Sequence, residues 1–388
     1  MRAIFIRNIF NVHWKLSGEI RAYMCLAVTR PDINRLIISM SKLYYHYMQT
    51  MKRISVSICF FLFTLSFISA ESKPGRYSLS ISPLTSVIYG QAEELVYKYP
   101  DEKQYKSQLL WDLKPLAYVG FGLDLAPKHY FFEKGAILSA SVKYGLPLNT
   151  GIHENRDWMS DDGDWLTHYS RHDLYSFNSM LVDFSAGYSW ILQDFVSIGM
   201  YGAFSFISHL WSGENGFLQY PKNSLGEYLY EDAPEWTDSI RKENVYGIII
   251  YYSQNWFILS PGIFMKAMVS PRFSIESNIE YSPLIFCIAR DDHLLGMNTR
   301  SRGATYWDYL YFGHFINWDN KLVISPADKL DIFLSVSCRF ITDIRGRTYS
   351  QDTGANVSGL TVLASTNGAG AKYSVIDIKL GTRIRIYN

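Results

Sequence analysis

From about residue 77 onward, apolar and polar side chains change places with a period of two. Near the C-terminus Ile376, Ile378, Leu380, Thr382, Ile384 and Ile386 alternate with Asp377, Lys379, Gly381, Arg383 and Arg385. Over 331–345, Ile332, Leu334, Val336, Cys338, Phe340 and Ile344 stand against Asp331, Ser335, Ser337, Arg339, Asp343 and Arg345. In 273–281, Phe273, Ile275, Ile279 and Tyr281 alternate with Ser274, Glu276, Asn278 and Glu280. Successive side chains of a strand point to opposite faces, so the pattern predicts strands with one apolar and one charged face. Ten strands are expected, roughly 77–90, 106–124, 135–149, 174–190, 195–211, 244–267, 272–288, 304–324, 329–345 and 372–387.

The connections between these strands alternate in length. Segments 91–105, 150–173, 212–243, 289–303 and 346–371 are long, whereas 191–194, 268–271 and 325–328 are tight turns. A soluble sandwich would alternate in the same way along each strand. Long loops on one rim with tight turns on the other favour an all-β, ten-stranded antiparallel transmembrane β-barrel, with long extracellular loops and short periplasmic turns. No apolar segment of membrane-helix length follows Ala70. Membrane entry therefore requires a closed barrel, since only helices and closed sheets satisfy their backbone in lipid. Several strands exceed the roughly 9–11 residues that cross a bilayer, so the barrel should stand above the membrane on its long-loop side.

Composition narrows this further. Aromatic residues make up 16% of the 388-residue chain, and charge is nearly balanced at +1, which excludes a basic nucleic-acid surface. Residues 51–70 have the layout of a signal peptide: basic Lys52-Arg53, an apolar run from Ile54 to Phe67, and small residues at Ser69-Ala70. The chain thus divides into an upstream extension, 1–50, that is not expected in the mature protein, a signal peptide, 51–70, and a barrel, 71–388. The barrel segment carries 28 basic and 34 acidic residues, about six charges negative. Its two cysteines, Cys287 and Cys338, lie on apolar phases of their strands and read as small hydrophobes.

Two stretches carry candidate chemistry. The first is Ala289-Arg290-Asp291-Asp292-His293, at the end of a strand-like run. Residues two apart on a strand share a face, and a carboxylate beside an imidazole orients it and raises its basicity, as a general base requires. The bland reading is the polar start of a loop. By strict parity Asp291 and His293 fall on the apolar phase of the preceding strand. Their inward placement needs a bulge, or a strand that rises clear of lipid. The second stretch lies in 150–173, where Asp157, Asp161, Asp162 and Asp164 cluster between Trp158 and Trp165, followed by His168, Ser170, Arg171 and His172. A solvated acidic loop is its bland reading. The spacing matches no calcium loop, and His168 and His172 have zinc spacing only on a helix, so no metal is expected. These stretches follow the third and seventh of ten strands, nearly opposite each other across a barrel mouth. Carboxylate and imidazole on either side of a water suggest hydrolysis without a covalent intermediate.

In order along the chain stand Gly90-Gln91-Ala92-Glu93-Glu94-Leu95-Val96-Tyr97, Ser107-Gln108-Leu109 with Trp111, Asp157-Trp158-Met159, Trp165 with Ser170-Arg171-His172, Asp291-Asp292-His293, and Asn367-Gly368-Ala369-Gly370. In the order and spacing of these motifs the chain resembles the omptins, outer-membrane endoproteases of Gram-negative bacteria. The resemblance implies a groove at the extracellular mouth, facing the cell exterior, where an Asp–His pair and an opposing Asp pair activate water to cleave a peptide or protein substrate. Asp291 and His293 match the first pair, and Asp157 matches the second member of the other. It further implies an outer-membrane location among lipid and a dependence on lipopolysaccharide. Two positions depart from the family. Asn155 stands where the first Asp of the opposing pair belongs. Omptins bind a basic side chain beside the cut with two acids; Glu94 matches one, but the other falls on Ala289, next to Arg290, which speaks against a preference for basic substrates. These departures motivate a rival reading, a catalytically weakened barrel that acts as an adhesin or surface-binding protein.

Overall fold

The computed structural model describes residues 77–98, 104–128, 133–160, 164–294, 304–352, 361–362 and 368–386. The upstream extension, the signal peptide and residues Asp161 and Asp162 of the acidic stretch lie outside the described residues.

The described chain is built of antiparallel strands: β1 (Tyr77–Tyr97), β2 (Tyr105–Pro127), β3 (Gly135–Gly145), β4 (Leu148–Asp157), β5 (His168–Gln193), β6 (Val196–Gln219), β7 (Glu243–Asn244), β8 (Ile248–Ser270), β9 (Phe273–Ser282), β10 (Leu284–His293), β11 (Ala304–Tyr311), β12 (Phe315–Ala327), β13 (Leu330–Asp352), β14 (Thr361–Val362) and β15 (Ala369–Ile386). Pairing begins at β1, passes through β2 to β3 and β4, then β5, β6 and β8. It continues through β9 and β10 to β12 and β11, then β13 and β15, and returns to β1. The ladder therefore closes on itself. Where β3/β4, β9/β10 and β11/β12 each count as one interrupted position, the ring has ten positions. Closure removes the unpaired edge that an open sheet exposes.

The two faces of the ring differ as the alternation requires. Outward, Ile376, Ile378, Leu380, Ile332, Leu334, Val336, Leu259 and Ile263 form an apolar belt, with Leu380 56% exposed. Inward, the same strands carry charges that are buried and paired. Lys143 contacts Asp377, Arg339 lies 2.9 Å from Asp183, and Lys379 lies 2.6 Å from Asp319. All of these but Asp377 line a cavity of about 630 Å³ that also meets Glu276 and Arg383. A sandwich buries apolar inner faces; here the charges are inside and the hydrophobes outside.

The strands extend past the limits read from alternation. β1 continues to Tyr97, β4 runs through Asp157, β5 starts at His168, and β10 reaches His293. The expected loop 150–173 is thus mostly strand, and only 158–167 connects β4 to β5. The reason is that alternation signals a strand only where one face is apolar. Above the belt the outward face is also polar, as at Glu154, Arg156, Arg290 and Asp292, so the period-two contrast fades while the ladder goes on.

A seam of irregularities separates belt from upper wall. The register shifts between Ile88 and Gly90, Ser176 and Asn178, and Ile341 and Ile344. Neighbouring breaks bond to one another: the Phe312 amide donates to the Ile285 carbonyl (2.9 Å), and the Thr342 amide donates to the His314 carbonyl (3.0 Å). At Ser282-Pro283 the break decides the site. Leu259 pairs with Leu284, but Gly262 pairs with Glu280, so β9 and β10 together hold one residue more than β8. The Ser282 hydroxyl stabilises this extra residue by accepting from the Leu284 amide (2.8 Å) and contacting the Leu259 carbonyl. The phase flips across it. Tyr281 points outward below; Leu284 and Phe286 point outward above, while Cys287, Ala289 and Asp291 turn inward and are buried. One route that parity left open for an inward Asp291, a bulge, is therefore present, and the outward neighbours of Asp291 are the paired charges Arg290 and Asp292. The two cysteines are unpaired, with Cys287 facing in and Cys338 facing out.

Candidate active site

The floor of the upper lumen is aromatic. The Trp111 ring stacks on His153 at 4.0 Å and on Tyr252 at 4.4 Å, and Trp211 packs against the same group. Gln254 on β8 crosses the lumen, donating to the Glu93 carbonyl on β1 (3.0 Å). Its oxygen accepts from the Trp256 indole (3.1 Å). Closely stacked aromatics leave little room for water, and a dry floor raises the cost of every charge above it.

On one wall β10 presents Asp291 and His293. His293 Nε2 donates to Asp291 Oδ2 at 2.5 Å. Asp291 is 4% exposed and His293 44% exposed, so the carboxylate is sealed behind a ring that meets the open mouth. Tyr306 on β11 lies edge-on to that ring at 5.5 Å. Burial pushes the Asp291 carboxyl upward, against the pull of the adjacent imidazole. For His293, burial disfavours the charge, but the Asp291 carboxylate and hydrogen bond, helped by Asp157, outweigh it and raise the imidazole above its ordinary value.

On the other wall β4 presents Asn155 and Asp157. β4 and β10 are four neighbours apart in the ring, through β5, β6 and β8. Asp157 is buried, and its two oxygens are used separately. Ser107 on β2 donates to Oδ1 (2.6 Å), and the Asn155 amide donates to Oδ2 (3.1 Å). Burial lifts the Asp157 carboxyl to about 6; the Ser107 hydroxyl, the charge of His293 and the Asn155 amide limit the rise. Asp157 and His293 thus act on each other's charge across the mouth, from segments that sequence spacing alone separates by more than a hundred residues.

Of the residues singled out from sequence, Asp157, Asn155, Asp291 and His293 converge, and Glu94 joins them. Glu94 is 3% exposed, and its Oε2 meets no hydrogen-bond partner among the described residues. Burial and the charges of Asp291 and Asp308 push its carboxyl well up. Asp164 does not join the site; it is an exposed partner of Lys98 and Gln104. His168 and His172 face inward on β5, but each spends its ring nitrogens on protein partners: His168 on Thr167 and the Leu229 carbonyl, His172 on the Asn215 carbonyl and Ser170. Two neighbours went unnoticed in the sequence. Burial and the charge of Asp157 push up the phenol of Tyr220, just past β6, while neighbouring Ser170 and Asn155 pull it back. Asp308 sits on the inward phase of β11, where it interrupts Tyr306 and Leu310; an isolated acid on such a phase is the signal that would have found it.

The family model of the omptin family matches residues 75–386. No curated protein matches the chain. The crystal structure of outer membrane protease OmpT from Escherichia coli is similar in fold, with a TM-score of 0.66 at 16% identity over 80% of this chain and 97% of that one. The outer membrane protein OprG of Pseudomonas aeruginosa matches far more loosely, with a TM-score of 0.31 at 9% identity over 81% of this chain and 99% of that one.

Proposed function

The chain belongs to the omptin family, and from that premise we propose that it is an outer-membrane endopeptidase whose active site faces the cell exterior. The apolar belt is read as the lipid-facing surface of a ten-stranded barrel, and the walls above the seam as its extracellular mouth. The observation that carries the reading is the placement of the Asp291–His293 pair opposite Asp157, with their charges acting on each other across the mouth.

The chemistry follows from which atoms are already occupied. Asp291 holds His293 Nε2, so Nδ1 is left to accept a proton. A water between this nitrogen and Asp157 loses its proton to His293 and attacks the carbonyl carbon of a peptide bond lying across the mouth. Asp157 accepts a hydrogen bond from the same water and fixes its direction. His293, now protonated and stabilised by Asp291, then returns the proton to the leaving amine. No covalent intermediate forms on the protein. Asn155 fits this scheme as a donor. An amide beside Asp157 stabilises the carboxylate, where a second acid would repel it.

The resemblance implies a dependence on lipopolysaccharide, so the lipid is supplied in the assay. Four outward cations above the belt, Lys114, Arg156, Arg290 and Lys372, each pair with a carboxylate: Asp112, Glu154, Asp292 and Glu93.

The test is an unbiased peptide library presented to the refolded chain in lipid with lipopolysaccharide, with products mapped by mass. Internal cleavage by wild type supports the reading. Equal silence of wild type and His293→Ala contradicts it.

A further inference from the structure

We propose that the Tyr220 hydroxyl is a further catalytic group of the same site, donating a hydrogen bond to the carbonyl oxygen of the peptide bond as that oxygen takes on negative charge. The inference rests on the endopeptidase reading and deepens it. When water adds to the carbonyl carbon, a C–O bond forms and the carbonyl π pair moves onto the oxygen. When the intermediate collapses, that pair returns, the C–N bond breaks, and the proton held by His293 goes to the amine. Tyr220 gives up no proton in either step; its hydrogen bond strengthens as the charge appears. The other groups do not meet this charge. Asp291 and His293 handle the proton, and Asp157 carries a negative charge of its own. A fixed donor at such an oxygen is worth about 10²–10³ in rate.

Tyr220 stands on the Asp157 wall, directly after the last residue of β6. Its hydroxyl neighbours Asn155 and Ser170, which face each other across β4 and β5, and the charge of Asp157 bears on it. The other hydroxyls nearby are committed. Ser107 donates to Asp157 (2.6 Å) and Tyr228 to Glu243 (3.0 Å). Ser170 donates to His172 Nε2 (3.2 Å), because His172 Nδ1 donates to the Asn215 carbonyl. Tyr220 makes no such bond among the described residues. Both Asp157 oxygens already hold a donor, from Ser107 and Asn155, so the phenol is not needed there. The ring is wedged in place, with His168 edge-on at 4.8 Å and Tyr228 edge-on at 5.7 Å. The backbone beyond it is pinned, since the Leu229 amide donates to the Pro221 carbonyl (2.9 Å). A donor positioned in advance costs no reorganisation when the charge forms. Burial and the Asp157 charge keep the phenol protonated, so it stays a donor.

The experiment uses the refolded full chain in lipid with lipopolysaccharide, one peptide that it cleaves, and two uncleavable analogues of that peptide. The phosphinic analogue places a charged oxygen where the carbonyl oxygen was; the reduced analogue, with a methylene there, has none. Tyr220→Phe keeps the ring against His168 and Tyr228 and removes only the donor. It should lower kcat about a hundredfold with KM within about twofold, weaken the phosphinic analogue about tenfold or more, and leave the reduced analogue unchanged. An unchanged kcat, or equal weakening of both analogues, overturns the inference and leaves the endopeptidase reading intact. If Tyr220→Phe does not fold, replacing Tyr220 by trifluorotyrosine decides the matter. Its more acidic phenol ionises and stops donating, so kcat should fall on the alkaline side, where wild type stays level. A profile like that of wild type overturns the inference. If wild type cleaves no peptide, the endopeptidase reading fails and the inference falls with it.

Discussion

Asn155 Nδ2 donates to Asp157 Oδ2 across 3.1 Å, two residues apart on one face of β4. The contact gives the amide at this position a defined electrostatic sense. It stabilises the carboxylate form of a buried acid that burial otherwise pushes to about 6. Asn155→Asp replaces a donor with a like charge, so it should raise the Asp157 pKa and move the acid side of the pH–rate profile upward by about one unit. Profiles of kcat/KM for wild type and Asn155→Asp on a common peptide check this. An unshifted profile means that residue 155 does not govern Asp157.

The pH dependence of the wild type follows from two groups that must both be deprotonated. Asp157 needs its charge to orient water, and it loses that charge as pH falls through about 6. His293 must be neutral to accept a proton, and its raised pKa delays this to higher pH. The logarithm of kcat/KM should therefore rise with a slope of two below about 6, a slope of one above it, and then level off once His293 is neutral. Ser107→Ala removes the 2.6 Å hydrogen bond to Asp157, so it should shift the lower break upward and leave the upper one in place.

The seam offers a geometric prediction. The extra residue at Ser282-Pro283 turns β10 so that Asp291 and His293 face inward. Deleting Pro283 restores one continuous register with β8, in which Leu284 still faces Leu259 and Asp291 and His293 keep their inward face. The deletion should therefore keep cleavage. One alanine inserted after Phe286 instead slips the ladder, and a one-residue slip sends every side chain beyond it to the other face, so the insertion should abolish cleavage. A refolded, heat-modifiable insertion variant that keeps full activity would show that the phase of β10 does not govern the site.

Much of this architecture is legible in the chain before any coordinates. Ile376 through Ile386 announce a strand because one of its faces is apolar throughout. Asp291 and His293 are recognisable as a pair because two residues on a strand share a face. What alternation hides is everything above the belt. Asp157 and His168 read as loop because the outward face there is polar too, and only the pairing of Asp157 with Ser107 on one side and with His168 on the other reveals strand. Asp308 stays hidden for a different reason. It reaches the site by pairing with Ala289, and cross-strand register is a tertiary fact that a bulge at Pro283 and the connection 294–303 keep out of reach of spacing arguments.

The central claim is that His293 and Asp157 work on one water from opposite walls. It is tested most directly by kcat/KM of His293→Ala, Asp157→Ala and the double variant on one peptide. Each single change should lower the rate by about 10²–10⁴-fold, and the double variant should be no slower than the worse single, because either loss disables the same step. Losses that multiply, or a single variant that cleaves like wild type, would contradict the account.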